Sequence, residues 1–409
     1  MKKTFLLSLL LFVACFAFAA NVIPSQDARI VAKNFMSERC GPERFTLDDF
    51  ELQYTETDAN GEALYYRFQI GEKGFILISA TDLISPVLAY SLESNFSNTE
   101  TTDFMLDQYK ESIKHIKANP SLAETTAKSD WKQYMAEDFK LSKTRQRATV
   151  IEPLITTEWS QERYYNQYCP YDAGGEARSD YRAPVGCVAL TMINLLNYYR
   201  YPASGAGGST YHHPKYGNLG ALFSNFHYDY NAMTDKINSY EGEFAKLIYH
   251  NGLSVTMDYD SIASGAQSEV AAEAMTNHWR FSSSLVFIRR QGSEYQAYNL
   301  WSDSLLKKEL RQYRPLYYSG NAEVAGGHAW IIDGFVEREG ETYFHVNWGW
   351  GGTNNGFYKI NLLVGQGESF SNGEGVMINA VPANGIEKPD TTFTRLIASK
   401  GSICDGAGN

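Results

Sequence analysis

The chain has 409 residues and a formal net charge of −11 at neutral pH. A single hydrophobic core rarely grows beyond about 250–300 residues, so we expect two domains. An acidic chain without clustered Lys and Arg is a poor nucleic-acid binder, which excludes that class.

The first twenty residues predict a secretory signal peptide, residues 1–20. Lys2 and Lys3 precede an apolar run over 5–18, and Ala17 and Ala19 form an A-x-A pattern at its end. No second long apolar segment follows, so we expect no membrane span. The protein should be secreted, or reside in the periplasm or at the cell surface. A lipid anchor on Cys15 is the alternative, disfavoured by the apolar residues after it.

Residues 21–147 predict a small α+β domain. Apolar residues recur at helical spacing over 27–39. Strand-like runs bounded by turn residues follow, and then a second helical stretch. The strands are expected over 64–68, 74–79 and 86–91, and the second helix over 102–115.

A basic polar stretch without strong periodicity lies between about 136 and 148. It contains Lys140, Lys143, Arg145 and Arg147. Exposed linkers of this kind are favoured sites of proteolysis. The stretch is either a maturation cleavage site or a plain solvated linker.

Residues 148–383 predict a second domain, followed by a polar tail over 384–409. A helix begins near Cys187 and is stopped by Pro202. An irregular loop is expected over 205–218. Further helices are expected over 241–250 and 268–277, and strands over 329–332, 343–348 and 357–360.

Cys187 is the candidate nucleophile. The five cysteines are scattered without CxxC pairs, which excludes a disulfide scaffold or a cysteine zinc site, and we expect no metal or cofactor. A thiolate is the reactive form of cysteine, and a helix N-terminus stabilises it. The alternative is that Cys187 is a small buried apolar residue.

His328 is the candidate general base, because histidine takes up a proton near neutral pH. Gly326 and Gly327 precede it and permit close approach of a substrate backbone. The chain then runs into a predicted strand, a rigid support for the ring. Four other histidines lack this setting and are assigned to the surface or to packing: His212, His213, His250 and His278.

A third block, Asn347-Trp348-Gly349-Trp350-Gly351-Gly352, follows on a later strand. Cys–His pairs are usually oriented by a third group, which Asn347 or Trp348 could supply. The alternative is a packed tryptophan corner with tight turns.

Three segments together carry a resemblance to a known family. Ala183-Pro184-Val185-Gly186-Cys187-Val188-Ala189, Gly326 to Gly334 and His345 to Gly352 resemble the nucleophile, histidine and third blocks of the streptopain family of papain-like cysteine peptidases. Their order is also that of papain-like proteases. Gly74 to Tyr90 resembles the family's propeptide, and Pro153 to Trp159 the start of its mature enzyme.

The resemblance implies an α+β architecture, a papain-like domain with a helical part and an antiparallel sheet, preceded by a propeptide domain. Cys187 would be the nucleophile and His328 the general base, supported by Asn347 and Trp348. Gly327 and Ser264 would bind substrate backbone. Papain-like enzymes place an oxyanion-stabilising Gln six residues before the Cys, where this chain has Tyr181, whose phenol O–H could donate instead.

We therefore expect a cysteine endopeptidase made as a zymogen. Its partners would be protein or peptide substrates and its own propeptide as an intramolecular inhibitor. Two alternatives remain: a transglutaminase-type acyltransferase that uses the same Cys–His chemistry, and an inactive protease-fold binding protein. Product analysis separates hydrolysis from transfer, and thiol labelling separates an enzyme from a binding module.

Overall fold

A computed structural model describes residues 22–98, 103–139, 148–290, 302–322, 326–360 and 372–385. The predicted signal peptide, the basic residues at 140–147, and the tail beyond residue 385 lie outside the described residues. Cys15 and Cys404 therefore lie outside them as well. Cys40 is disulfide-bonded, whereas Cys169 and Cys187 are free thiols.

The described part of the chain contains both helices and strands. The helices are α1 (Ser25–Cys40), α2 (Asp103–Ala118), α3 (Ala127–Tyr134), α4 (Cys187–Tyr199), α5 (Gly242–Ser254), α6 (Ser268–Asn277) and α7 (Asp303–Arg311). The first strands are β1 (Phe50–Thr57), β2 (Ala63–Ile70), β3 (Phe75–Ser79), β4 (Val87–Ser91), β5 (Thr149–Ile151), β6 (Ser209–His213) and β7 (Gly217–Ala221). The later strands are β8 (Val286–Arg289), β9 (Leu316–Ala322), β10 (Gly326–Arg338), β11 (Glu341–Asn347), β12 (Gly356–Tyr358) and β13 (Asn372–Ile378).

One antiparallel sheet of eleven strands runs through both halves of the chain. Its order is β1-β2-β3-β4-β12-β11-β10-β9-β13-β8, with β5 pairing off this path against β10. The two halves meet where β4 pairs with β12, through Phe357 opposite Tyr90 and Tyr358 opposite Ala89. The N-terminal strands therefore extend the sheet of the C-terminal half.

The N-terminal half is built around β3, which is buried on both faces. Phe75 and Leu77 point into a core that also contains apolar residues of α2. Ile76 and Ile78 point to the opposite face, into a core shared with α1. Because side chains alternate across a strand, a continuous apolar run can fill two cores at once.

The helical part of the C-terminal half packs around α4. Ala189, Ile193 and Leu196 are fully buried in a core that also includes residues of α5 and α6. Ala329 and Ile331 of β10 join the same core, so α4 lies between the helices and the sheet. This packing fixes the N-terminus of α4 beside the start of β10.

The structure confirms the α+β fold class with helices and an antiparallel sheet, and adds elements that the sequence did not predict. The elements that were not predicted are β1, α3, β5, β8, α7, β9 and β13. The loop expected over 205–218 is wrong in part, because β6 and β7 pair as a hairpin from Ser209↔Ala221 to His213↔Gly217. Gly220 permits this pairing, since a Cβ there would lie 2.5 Å from Thr210 Oγ1. Within the described residues, no helix is both long and apolar enough to cross a membrane.

Candidate active site

Four of the predicted site residues line a single cleft with a volume of about 580 Å³. They are Cys187, Ser264, Gly327 and His328. Tyr181 does not line this cleft; its side chain is 45% exposed and its backbone adopts φ 54°. The structure therefore brings the proposed nucleophile, base and backbone-binding residues together, and leaves Tyr181 apart from them.

Cys187 is placed at the first position of α4 by the backbone of Gly186. Gly186 adopts φ 87°, a conformation that favours glycine. A Cβ there would lie 2.7 Å from the Met257 side chain and 3.0 Å from the Ser264 carbonyl oxygen. Glycine thus lets the segment of Ser264 approach the backbone next to the nucleophile.

The Cys187 thiol is held neutral in this form of the protein. Burial raises its pKa above the ordinary value, although hydrogen bonds from the backbone N–H groups of Ala329 and Val188 act in the opposite direction. These N–H groups and the N-terminus of α4 are the features that would stabilise a thiolate once the site opens.

His328 is buried and oriented by a backbone carbonyl. Its Nε2–H donates to the carbonyl oxygen of Trp348 at 3.0 Å. The ring is also nearly parallel to those of Trp330 and Trp350, at centroid distances of 5.9 and 5.5 Å. Because Nε2 carries the proton in this bond, Nδ1 is the nitrogen left to accept one.

Burial lowers the pKa of His328 to about 4, against the opposing effect of the hydrogen bond to Trp348. The ring is therefore neutral at neutral pH. Both Cys187 and His328 lie within the described residues, and no hydrogen bond joins their side chains. The dyad is assembled in one cleft but has not formed the thiolate–imidazolium pair.

Asn347 supports the loop of Trp348 rather than the histidine ring itself. Its Nδ2 donates to the Thr157 carbonyl at 2.8 Å, and its Oδ1 accepts from the N–H of Gly349 at 3.1 Å. The Trp348 N–H in turn donates to Asn355 Oδ1 at 3.1 Å. The orienting contact on His328 is thus a main-chain carbonyl held in place by Asn347 and Asn355.

The N-terminal half contacts the same loop through Ser97. The Ser97 N–H donates to Asn354 Oδ1, and Asn354 Nδ2 donates to the Ser97 carbonyl, both at 2.7 Å. A side-chain amide that pairs with both backbone groups of one residue fixes its partner in register. The N-terminal half therefore holds the segment next to Trp348.

A buried ionic cluster forms a second contact between the halves. His345 bonds Asp333 through Nδ1 and Glu93 of the N-terminal half through Nε2, both at 2.6 Å. Burial opposes the charge on His345, but the two carboxylates outweigh it and raise its pKa to about 10. Asp333 also accepts the N–H of Ile155 at 2.7 Å. The cluster thus ties Glu93 to a buried, positively charged histidine.

Gln161 contacts the nucleophile segment and was not among the residues expected in the site. It is buried, and its backbone carbonyl accepts the N–H of Val185 at 3.0 Å, two residues before the nucleophile. The resemblance to papain-like enzymes points to the position six residues before Cys187, which is Tyr181. The Trp159 and Gln161 pair, close to the expected start of the mature enzyme, was the signal available in the sequence.

Among the described residues, no group of three or more His, Cys, Asp or Glu side chains is arranged to hold a metal ion.

Two parts of the chain match known protein families. Residues 159–358 match the sequence model of the peptidase C10 family, and residues 20–115 match that of the Spi protease inhibitor. The chain belongs to the streptopain-like C10 family. It is a cysteine peptidase that acts on peptides and carries its own inhibitor domain at the N-terminus.

Individual relatives cover most of this C10 peptidase. Streptopain from Streptococcus pyogenes serotype M28 is 27% identical over 375 residues, which is 85% of this chain and 86% of streptopain. The thiol protease/hemagglutinin PrtT of Porphyromonas gingivalis is 28% identical over 96% of this chain and 46% of its own length. A structure of a prointerpain A fragment from Prevotella intermedia superposes with a TM-score of 0.61 at 27% identity, covering 81% of this chain and 99% of the fragment.

Proposed function

We propose that this C10 peptidase is an exported endopeptidase zymogen in which Cys187 is the nucleophile and His328 the general base. The observation that supports these roles is their shared cleft, with the His328 Nε2–H bonded to the Trp348 carbonyl. That bond leaves Nδ1 as the basic nitrogen, as a Cys–His dyad oriented by a third group requires.

In the proposed reaction, His328 Nδ1 takes the thiol proton and the sulfur attacks the scissile carbonyl carbon. His328 then protonates the leaving amine, which produces a thioester on Cys187. Water loses a proton to His328 and attacks the thioester, which releases the acid and restores the thiol. Gly327 and Ser264, which line the cleft, would hold the substrate backbone.

The oxyanion would be stabilised by backbone N–H groups at the start of α4 and by the Gln161 amide. A helix N-terminus offers N–H groups without partners within the helix. Gln161 is buried and fixed against Val185, which places it beside the nucleophile segment. We assign it the role that the sequence first suggested for Tyr181.

The inhibitor domain would act on the dyad through the loop of Trp348. In the present form both dyad side chains are neutral, and the Ser97–Asn354 contact holds the loop that orients His328. Cleavage between the domains, at the basic residues predicted near 140–147, would release that loop. Export rests on the signal-peptide pattern of residues 1–20, and we propose the secreted, periplasmic or cell-surface location on that basis.

The test compares the chain from residue 21 with its Cys187→Ala and Cys169→Ala variants. Cys169 is the matched control, because burial raises its pKa to about 12 and makes it unreactive. The parent and Cys169→Ala are expected to digest casein and shorten near residues 140–150, while Cys187→Ala stays whole. If removal of the first domain by an external protease leaves the parent inert and Cys187 unlabelled by a thiol reagent, the proposal is wrong. Products carrying an added amine would instead indicate acyl transfer.

A further inference from the structure

One end of the cleft carries an exposed carboxylate next to the proposed backbone-binding residue. Asp258 and Gly265 exchange two backbone hydrogen bonds, of 2.9 and 3.1 Å, and both line the cleft beside Ser264. The side chain of Asp258 is 87% exposed. A substrate held along Ser264 therefore passes close to this carboxylate.

A buried histidine fixes the orientation of the carboxylate. His213 is 4% exposed at its side chain, and its Nδ1 accepts the backbone N–H groups of Lys215 and Tyr216 at 3.1 and 3.3 Å. An Nδ1 that accepts carries no proton, so the neutral ring has its proton on Nε2. That Nε2–H donates to Asp258 Oδ1 at 3.0 Å.

The surroundings leave the charge of Asp258 uncompensated. Within the described residues no Lys or Arg forms an ion pair with it, since the Lys215 ammonium bonds Asp172 and Asp260 at 2.5 and 2.6 Å. The nearest ammonium group is therefore already engaged by two other carboxylates.

Arg289, which also lines the cleft, is by contrast neutralised. It bonds Glu269 at 2.5 Å and donates to the Gly373 carbonyl at 3.2 Å. Among the described residues that line the cleft, Asp258 is therefore the charged side chain that lacks a charged partner.

We propose that Asp258 selects substrates with an Arg or Lys side chain at the position that reaches it, and that His213 is a positioning residue for Asp258. This inference rests on the proposed function, because it needs the cleft to bind peptides. A carboxylate that is already held in place forms a charge-assisted hydrogen bond to a cationic side chain with little loss of its own conformational entropy. A glutamate at that substrate position would meet like charge and be disfavoured.

The test uses enzyme matured from the full-length chain and a fluorogenic peptide set in which each position in turn is Arg, norleucine or Glu. The parent should prefer Arg over norleucine at one position. Asp258→Asn should lower that ratio of kcat/KM about tenfold. The change should appear mainly in KM, because the contact stabilises the bound substrate and the transition state equally. Asp260→Asn removes the same charge two residues away and outside the cleft, and should change the ratio about twofold or less.

The inference is overturned if the parent shows no Arg preference at any position, or if Asp258→Asn and Asp260→Asn lower the ratio equally. In both cases the norleucine peptide is still cleaved, so the proposed function stands. A parent that cleaves no peptide overturns the proposed function and this inference with it.

Two substitutions at His213 test the positioning role. His213→Gln keeps an N–H donor and should retain most of the Arg preference, whereas His213→Leu should lose it as Asp258→Asn does. A purely structural role predicts that both variants lower the melting temperature while the Arg/norleucine ratio stays at the parent value, and that result contradicts the assignment.

Discussion

Replacing Glu93 with glutamine tests how the inhibitor domain is held on the enzyme. Glu93 is 30% exposed at its side chain and contacts His345, which is buried and also bonded to Asp333. Glutamine keeps the shape of Glu93 and can still accept a hydrogen bond, but it removes the charge. We expect a loss of about 2 kcal/mol in the free energy of unfolding, the range of a hydrogen bond between charged groups. The loss stays below the ~3–5 kcal/mol of a fully buried broken pair because His345 retains Asp333.

The pH dependence of this loss follows from the pKa shifts of His345 and Glu93. The His345 pKa is raised from 6.5 to about 10, so its contribution is complete below pH 6.5 and disappears as pH rises through about 10. Burial opposes the Glu93 charge, but His345 outweighs it and lowers the Glu93 pKa, with Lys73 adding to the effect. Its contribution is complete above its ordinary value of 4.5 and disappears as pH falls below it. The difference between parent and Glu93→Gln should therefore be largest between pH 4.5 and 6.5.

The measurement is denaturant unfolding across pH, carried out in the Cys187→Ala background so that the zymogen stays whole. Glu51→Gln is the matched control, because Glu51 is exposed on β1 in the same domain. Unfolding midpoints of Glu93→Gln that equal those of the parent at pH 6 would refute the stabilising role of the contact. A loss that does not vary with pH would refute its ionic origin.

Three further predictions concern His328, the oxyanion donor and the contact by which the inhibitor domain restrains the zymogen. In the Cys187→Ala zymogen, His328 should titrate with a midpoint near 4 by NMR; a midpoint near its ordinary 6.5 would contradict a buried ring. Gln161→Ala should lower kcat by about 10²–10³-fold, the cost of one oxyanion donor, whereas Tyr181→Phe should change it little; the reverse order would restore Tyr181 to the oxyanion site. Asn354→Gly is compatible with the local φ of 63° and removes the side-chain amide that bonds the Ser97 backbone. Self-maturation followed by gel should then be several-fold faster, and an unchanged rate would show that the Ser97–Asn354 contact does not restrain the zymogen.

Elements with strong local signals could be predicted from the sequence. The helix of Cys187 was found because its apolar residues recur at i, i+3, i+4 and i+7 and Pro202 follows it. The strands expected over 329–332 and 343–348 lie in β10 and β11, and Glu339 and Gly340 between them both adopt a positive φ, as a tight turn requires. By contrast, β1 is an edge strand whose exposed face carries polar residues, and α3 has only eight residues, too few for a clear period.

The candidate site was predictable only as far as single residues with a local setting. Cys187 and His328 each carry such a setting, a helix start and a glycine pair before a strand. Gln161, Asp258 and His213 have none, because each acquires its position from contacts between segments distant in the sequence. The pairing of β4 with β12 also depends on distant segments, since the residue pattern of either strand does not specify which strand pairs with it.

The state of the dyad can be understood from one continuous series of hydrogen bonds. Ser97 of the inhibitor domain pairs with Asn354, and the neighbouring Asn355 accepts the Trp348 N–H. The Trp348 carbonyl in turn accepts the proton of His328. Each link joins one side chain, of Asn354, Asn355 or His328, to a main-chain group of another residue. Because the inhibitor domain also supplies β4 to the sheet edge at β12, the same few residues stabilise the loop from both ends. Release of that domain would therefore remove the Ser97 and β4 contacts while Asn347 and Asn355 still hold the loop. The buried, neutral His328 would gain the access to solvent that formation of an ion pair with Cys187 requires.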